Sequence, residues 1–195
     1  MTVQSEAQLE NELIAQLQTL SYQKVKIQDE TQLLSNLKQQ IEHINGLPTL
    51  SPTEWKQVIS YLNSGTVFER AKKLRDKFPV KFDDGSSKHI YFLSEDPSKN
   101  RYQVTNQITV DHRGHNGRTS RFDVTLLVNG LPLIQIELKK RGMEIAEAFN
   151  QTQRYVREAY WAGQGLFSFI QLFVISNGAN TRYYSNGTSH IDFAF

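Results

Sequence analysis

The chain has 195 residues, 38% hydrophobic and 22% charged, with a formal net charge of +2 and no cysteine. This is the size and make-up of a single globular domain, here residues 1–195, with a substantial core. It rules out disulfide frames and cysteine metal sites, and the N-terminal Met-Thr-Val-Gln-Ser-Glu lacks the basic region and apolar run of a secretory signal, so the expected location is cytoplasmic.

Leu9, Leu13, Leu17 and Leu20 form a helical stripe over residues 6–20, and Ser5 with Gln8 is placed as a capping box. Glu6 and Glu10 stand one turn apart on that helix. Leu33, Leu34, Leu37 and Ile41 mark a second helix over 29–44, stopped at Asn45-Gly46. Ser51-Pro52-Thr53-Glu54 supplies a cap, a proline at the first helical position and a glutamate at the third, so a helix follows through Trp55, Val58, Ile59 and Leu62. Val67 to Phe78 reads as a further helix ending at Pro79, the most basic element of the chain, with Arg70, Lys72, Lys73, Arg75 and Lys77. Residues 29–78 thus read as a helical insertion or subregion.

After Asp83-Asp84-Gly85 the pattern turns to strands at Ile90–Leu93 and Tyr102–Val110, followed by a polar basic loop from His112 to Arg118 suited to touching phosphates. Residues 144–161 form a long helix. Phe167–Ser176 is a buried strand, Asn177-Gly178 a turn, and Thr181–Tyr184 an antiparallel return. This order predicts an α/β fold, a mixed central sheet flanked by helices with additional helices at the N-terminus. The chain stops at the apolar Phe193-Ala194-Phe195, which reads as part of something longer. No GxxxxGK[ST] loop is present, so these residues are not expected to bind ATP.

Between these elements lie Asp123, the hairpin signal Val128-Asn129-Gly130-Leu131, and Glu137-Leu138-Lys139. Two carboxylates can supply the oxygen ligands that a hard divalent ion takes, and an amine can sit near an attacking water or a developing phosphate charge. Whether they meet depends on register. A two-residue loop at Asn129-Gly130 sets Val128 opposite Leu131 and sends Asp123 and Glu137 to opposite faces. A three-residue loop with Gly130 left-handed pairs Leu127 with Leu131, puts Asp123 opposite Gln135, and gathers Asp123, Gln135, Glu137 and Lys139 on one face. Apolar Phe122, Val124, Leu126, Val128, Ile134, Ile136 and Leu138 select the same register, with one oily and one polar face. Two carboxylates about 4 Å apart repel by roughly 4 kcal/mol at an effective dielectric near 20, and a bound cation reverses that sign.

These residues resemble the PD-(D/E)xK nuclease superfamily. Arg121-Phe122-Asp123-Val124-Thr125, Gln135 through Gly142, Ala148-Phe149-Asn150-Gln151 and Gln171 through Gly178 are similar, more specifically, to the N-terminal endonuclease domain of the R subunit of type I restriction-modification enzymes. The resemblance implies magnesium-dependent hydrolysis of double-stranded DNA without strong local sequence preference, with manganese able to substitute. It implies Asp123, Glu137 and the backbone carbonyl of Leu138 as metal ligands, and Lys139 as the catalytic amine. Gln151 and Tyr155 match the family's Gln-x-x-x-Tyr motif, which steadies the lysine and contacts a strand. Either Glu10 or Glu6 corresponds to an additional helix acid. The wider subunit it implies is an ATP-driven translocase working with methyltransferase and specificity subunits. Two other readings of the same residues are a noncatalytic DNA-gripping or coupling domain and a related DNA-repair nuclease.

Overall fold

Side chains that fold back onto the backbone start four helices. Ser5 caps α1 (Glu6–Thr19), which is followed by the short β1 (Gln23–Lys24). Asp29 caps α2 (Glu30–Ile44), Ser51 caps α3 (Pro52–Asn63) and Thr66 caps α4 (Val67–Lys73), each accepting a hydrogen bond from the N–H three residues on. The computed structural model describes residues 4–111, 119–161 and 165–186. Within them β2 (Lys77–Lys81) and β3 (Ser87–Tyr91) form a two-stranded ribbon. Then come β4 (Tyr102–Asp111), β5 (Thr119–Val128), β6 (Leu131–Leu138), α5 (Ile145–Trp161), β7 (Leu172–Ser176) and β8 (Thr181–Ser185).

The main sheet has the order β1-β4-β5-β6-β7-β8. β4, β5 and β6 make an antiparallel meander, α5 crosses over so that β7 runs parallel to β6, and β8 returns antiparallel. The sheet is mixed and flanked by helices, as the pattern predicts. α1 covers one face, where Ile14 packs with Val104, Val124, Leu126, Ile136 and Leu138. The other face meets the larger core, built from Leu33, Leu37 and Ile41 of α2, Val58 and Leu62 of α3, and Ala148 and Phe149 of α5.

Several expectations are corrected. Leu20 is 70% exposed, and the buried residues of α1 are Glu10 and Ile14. Leu9, Leu13 and Leu17 are partly buried against the sheet beside Ile14, so the stripe holds over three of its leucines and its last, Leu20, leaves the contact line. The basic helix stops at Lys73, and Lys77–Lys81 is a strand holding Pro79 within it. Val80 turns inward and is fully buried, and a two-stranded ribbon tolerates the proline because one side of the strand has no ladder partner to lose. Phe167–Ser176 is a 3-10 turn over Leu166–Phe169 followed by β7. That turn swings Phe167 under the sheet to stack on Phe122, ring centroids 4.2 Å apart.

The hairpin is also built differently. Its loop has two residues, with Asn129 and Gly130 at φ 51° and 82° and Val128 opposite Leu131. Taken alone this is the register that separates the acids. The pairing then shifts: Leu127 faces Pro132, but Leu126 faces Ile134 and Val124 faces Ile136, so β6 carries one extra residue, Leu133. A bulge inside the strand, in place of one at the turn, restores the parity. The predicted polar face is buried as well, with Thr125, Gln135 and Glu137 fully covered and the Thr125 hydroxyl donating to Gln135 Oε1 at 2.8 Å. Phe122 leaves the row of Val124 and Leu126 for the larger core, together with its β4 neighbour Ile108. The change of side coincides with Gln107, the β4 residue between Asn106 and Ile108, whose φ of 58° breaks the alternation.

Candidate active site

Continuing the β5–β6 register beyond Val124 and Ile136 sets Asp123 level with Glu137. Asp123 Oδ2 accepts the backbone N–H of Leu138 at 2.9 Å, which fixes its carboxylate at the end of β6. Asp123 is 9% exposed and Glu137 0%. Lys139 follows directly after β6; its backbone N–H donates to Ser176 O at 2.8 Å, and its ammonium lies 3.5 Å from Glu137 Oε1 and donates to Gln151 Oε1 of α5 at 2.6 Å. The structure therefore brings Asp123, Glu137, Lys139 and Gln151 together. Tyr155 belongs to α5, but its side chain lies outside the described residues, as do the loop His112–Arg118 and the terminal Phe193-Ala194-Phe195.

The two acids of α1 are placed differently. Glu6 accepts the backbone N–H of Lys140 at 3.3 Å on the exposed side. Glu10 is 7% exposed and accepts from Gln107 Nε2 at 2.7 Å and Asn106 Nδ2 at 3.2 Å. Asp123 feels the charge of Glu10. Asn106 and Gln107 belong to no motif in the sequence, although the three successive polar residues Thr105 to Gln107 between Val104 and Ile108 are a visible irregularity.

Burial drives the electrostatics. Removal from water, first, and the Asp123 charge, second, push the Glu137 carboxyl well above the usual glutamate range, against the pull of Lys139. Burial also raises Asp123, opposed by the Leu138 N–H and the Glu137 carboxyl and assisted by Glu10. Behind them Tyr184 of β8 is pushed up to about 12, chiefly by burial, and its hydroxyl is hydrogen-bonded to Thr152 of α5.

Among the described residues no cluster of three or more His, Asp or Glu side chains is assembled for a metal. The test of fit is Glu137 Oε2, which is buried and has no hydrogen-bond partner. A buried ionised carboxylate oxygen left unsatisfied costs about 1–3 kcal/mol or more; a proton held between Asp123 and Glu137 relieves that cost, and a cation held by the pair would do the same.

Residues 3–190 match the family model described as "Type I restriction enzyme R protein N terminus". The chain is 43% identical, over 98% of its length, to a type I restriction enzyme endonuclease subunit of Staphylococcus aureus, and 44% identical over the same share to one of Staphylococcus saprophyticus. It is 41% identical over 95% of its length to the EcoprrI endonuclease subunit of Escherichia coli. It spans a fifth (20%) of the staphylococcal relatives and 60% of the E. coli one. With its matching segment covering almost the whole chain, this protein belongs to the family of type I restriction enzyme R protein N termini.

Proposed function

We propose that the chain is an endonuclease domain that hydrolyses phosphodiester bonds of double-stranded DNA, with Asp123, Glu137 and the Leu138 carbonyl holding a divalent cation. Magnesium fits the all-oxygen donor set, and manganese substitutes for it. The observation that carries this reading is the buried Asp123–Glu137 pair with one carboxylate oxygen unsatisfied and an ammonium alongside. The cation supplies charge neutralisation for the phosphate and a more acidic water.

The side chains supply the rest. Leu138 N–H holds the Asp123 carboxylate in place, and Gln151 steers the Lys139 ammonium. Held there, Lys139 orients the attacking water and offsets negative charge on the phosphate as it develops. Glu10, fixed by two amides, raises the negative potential around Asp123 and favours cation capture. Tyr155, one turn beyond Gln151, contacts the strand being cut. The residues gathered at the site serve phosphate chemistry, so cutting has little local sequence preference. Delivery of DNA belongs to an ATP-driven translocase elsewhere in the subunit, assembled with methyltransferase and specificity subunits in the cytoplasm. Among the described residues no helix is long and apolar enough to cross a membrane.

The test places Asp123→Ala, Glu137→Ala or Lys139→Ala in the full-length subunit within the assembled enzyme. ATP hydrolysis continues while double-strand breaks in supercoiled DNA fall roughly 10²-fold or more. Breaks at the parental rate would remove the assignment, and DNA binding without breaks in the parent would point to a gripping domain.

A further inference from the structure

A groove of about 460 Å³ opens along the sheet edge between β1, the segment after it, and β4, lined by Lys24, Lys26 and Gln28 on one side and Thr105, Asn106 and Gln107 on the other. It forms where pairing with β4 is interrupted. Val25 N–H donates to Val104 O at 2.9 Å and Thr109 N–H to Gln28 O at 2.8 Å, and between them Gln107 takes its left-handed conformation. Ile27 N–H turns instead to the Thr105 hydroxyl, at 3.3 Å.

Two features distinguish this groove from an ordinary strand edge. Lys24 and Lys26 are exposed while Ile27 is buried and Val25 half-buried between and beside them, so both ammonium groups stand on one side of an extended segment. Their stems are about 6.6 Å apart along the strand, comparable with the spacing of successive phosphates on one nucleic-acid strand. Among the described residues neither ammonium has an acidic partner at salt-bridge distance, and the nearby Asp29 carboxylate is committed to Gln32 N–H at 2.8 Å. The second feature is continuity with the site: the opposite wall is Asn106 and Gln107, whose amides hold Glu10 beside Asp123.

We propose that this groove is the track for one DNA strand flanking the cleaved bond, with Lys24 and Lys26 neutralising two consecutive phosphates and Gln28 adding a neutral contact. This rests on the nuclease reading above. The acids of the site repel a phosphate backbone, and two free lysines at the approach supply compensating charge without touching the chemistry. Contacts of this kind position the duplex without reading bases.

The experiment uses the full-length subunit carrying Lys24→Ala and Lys26→Ala together, with a short duplex of arbitrary sequence and calcium in place of magnesium. The slope of log affinity against log salt flattens by about 1.8, since each lost phosphate contact removes about 0.9. In the assembled enzyme the same variant cuts about tenfold more slowly at moderate salt with ATP hydrolysis unchanged, and Lys24→Arg with Lys26→Arg restores the slope. An unchanged slope and cutting rate would overturn the proposal and leave the lysines as guards of an exposed strand edge. Asp123→Ala separates the two readings: it abolishes cutting while keeping the slope. Cutting by that variant sinks the site assignment without touching the groove.

Discussion

Asp123 stands level with Glu137 although the turn between their strands has the register that would part them. The extra residue Leu133 in β6 undoes the separation, and the turn itself is locked to the rest of the fold. A Cβ on Gly130 would lie 2.7 Å from the Leu37 Cα of α2, at a φ that side chains rarely adopt. Gly130→Ala is therefore expected to destabilise the chain by about 1–3 kcal/mol, read as a fall in denaturation midpoint. Equal stability would mean that α2 yields.

Asn129 makes the same turn a buried junction. Its side chain accepts from Arg101 N–H at 2.7 Å and donates to Phe92 O at 2.9 Å and Asn100 Oδ1 at 2.8 Å. Asn129→Ala strands these partners, for a loss of about 1–3 kcal/mol or more. Asn129→Gly keeps the backbone conformation but loses the same bonds, so it should be nearly as damaging.

Stability without a cation should fall as pH rises. The folded protein holds a proton on Glu137 more tightly than the unfolded chain does, so between the ordinary glutamate range and the raised value the native state carries more protons. The contribution is thus present below the usual pKa and lost as pH climbs through the raised one; Asp123 adds in the same direction. Calorimetry in chelator across this window should show the decline, Glu137→Gln should remove most of it, and magnesium should oppose it by replacing the proton. A flat profile in chelator would contradict the burial argument.

Gln151 accepts a hydrogen bond from the Lys139 ammonium, and on the proposed mechanism it acts through that lysine. Gln151→Ala leaves the ammonium present but unsteered, so cleavage by the assembled enzyme should drop about tenfold, less than for Lys139→Ala, with Gln151→Glu shifting the pH–rate profile. Identical losses for the two alanine variants would mean that α5 supports the site in some other way.

Arg70 illustrates how charge in a sequence misleads. It is buried, donating to Ser168 Oγ at 2.5 Å and Asn63 O at 2.8 Å, and Lys73 sits 4.8 Å over the Tyr61 ring. Arg70→Ala should lower stability by about 2 kcal/mol or more while leaving the salt dependence of DNA binding unchanged.

Local signals in the sequence located most elements. Ser5, Asp29 and Ser51 cap where their side chains reach the third N–H, and Asn129-Gly130 turns where only residues tolerant of positive φ fit. The acid–acid–lysine set was legible too, because alternation demands that apolar rows coincide and this fixes the parity of the hairpin. Parity alone, however, admits two bulge positions. Leu133 is invisible as the extra residue because a single apolar residue in an apolar strand carries no mark of being unpaired. The end of α4, the inward Arg70, the different placements of Glu6 and Glu10, and the kink at Gln107 depend on contacts between residues far apart in the chain. Neighbour-by-neighbour chemistry settles caps, turns and strand alternation; which of two permitted arrangements is adopted depends on packing across the whole chain.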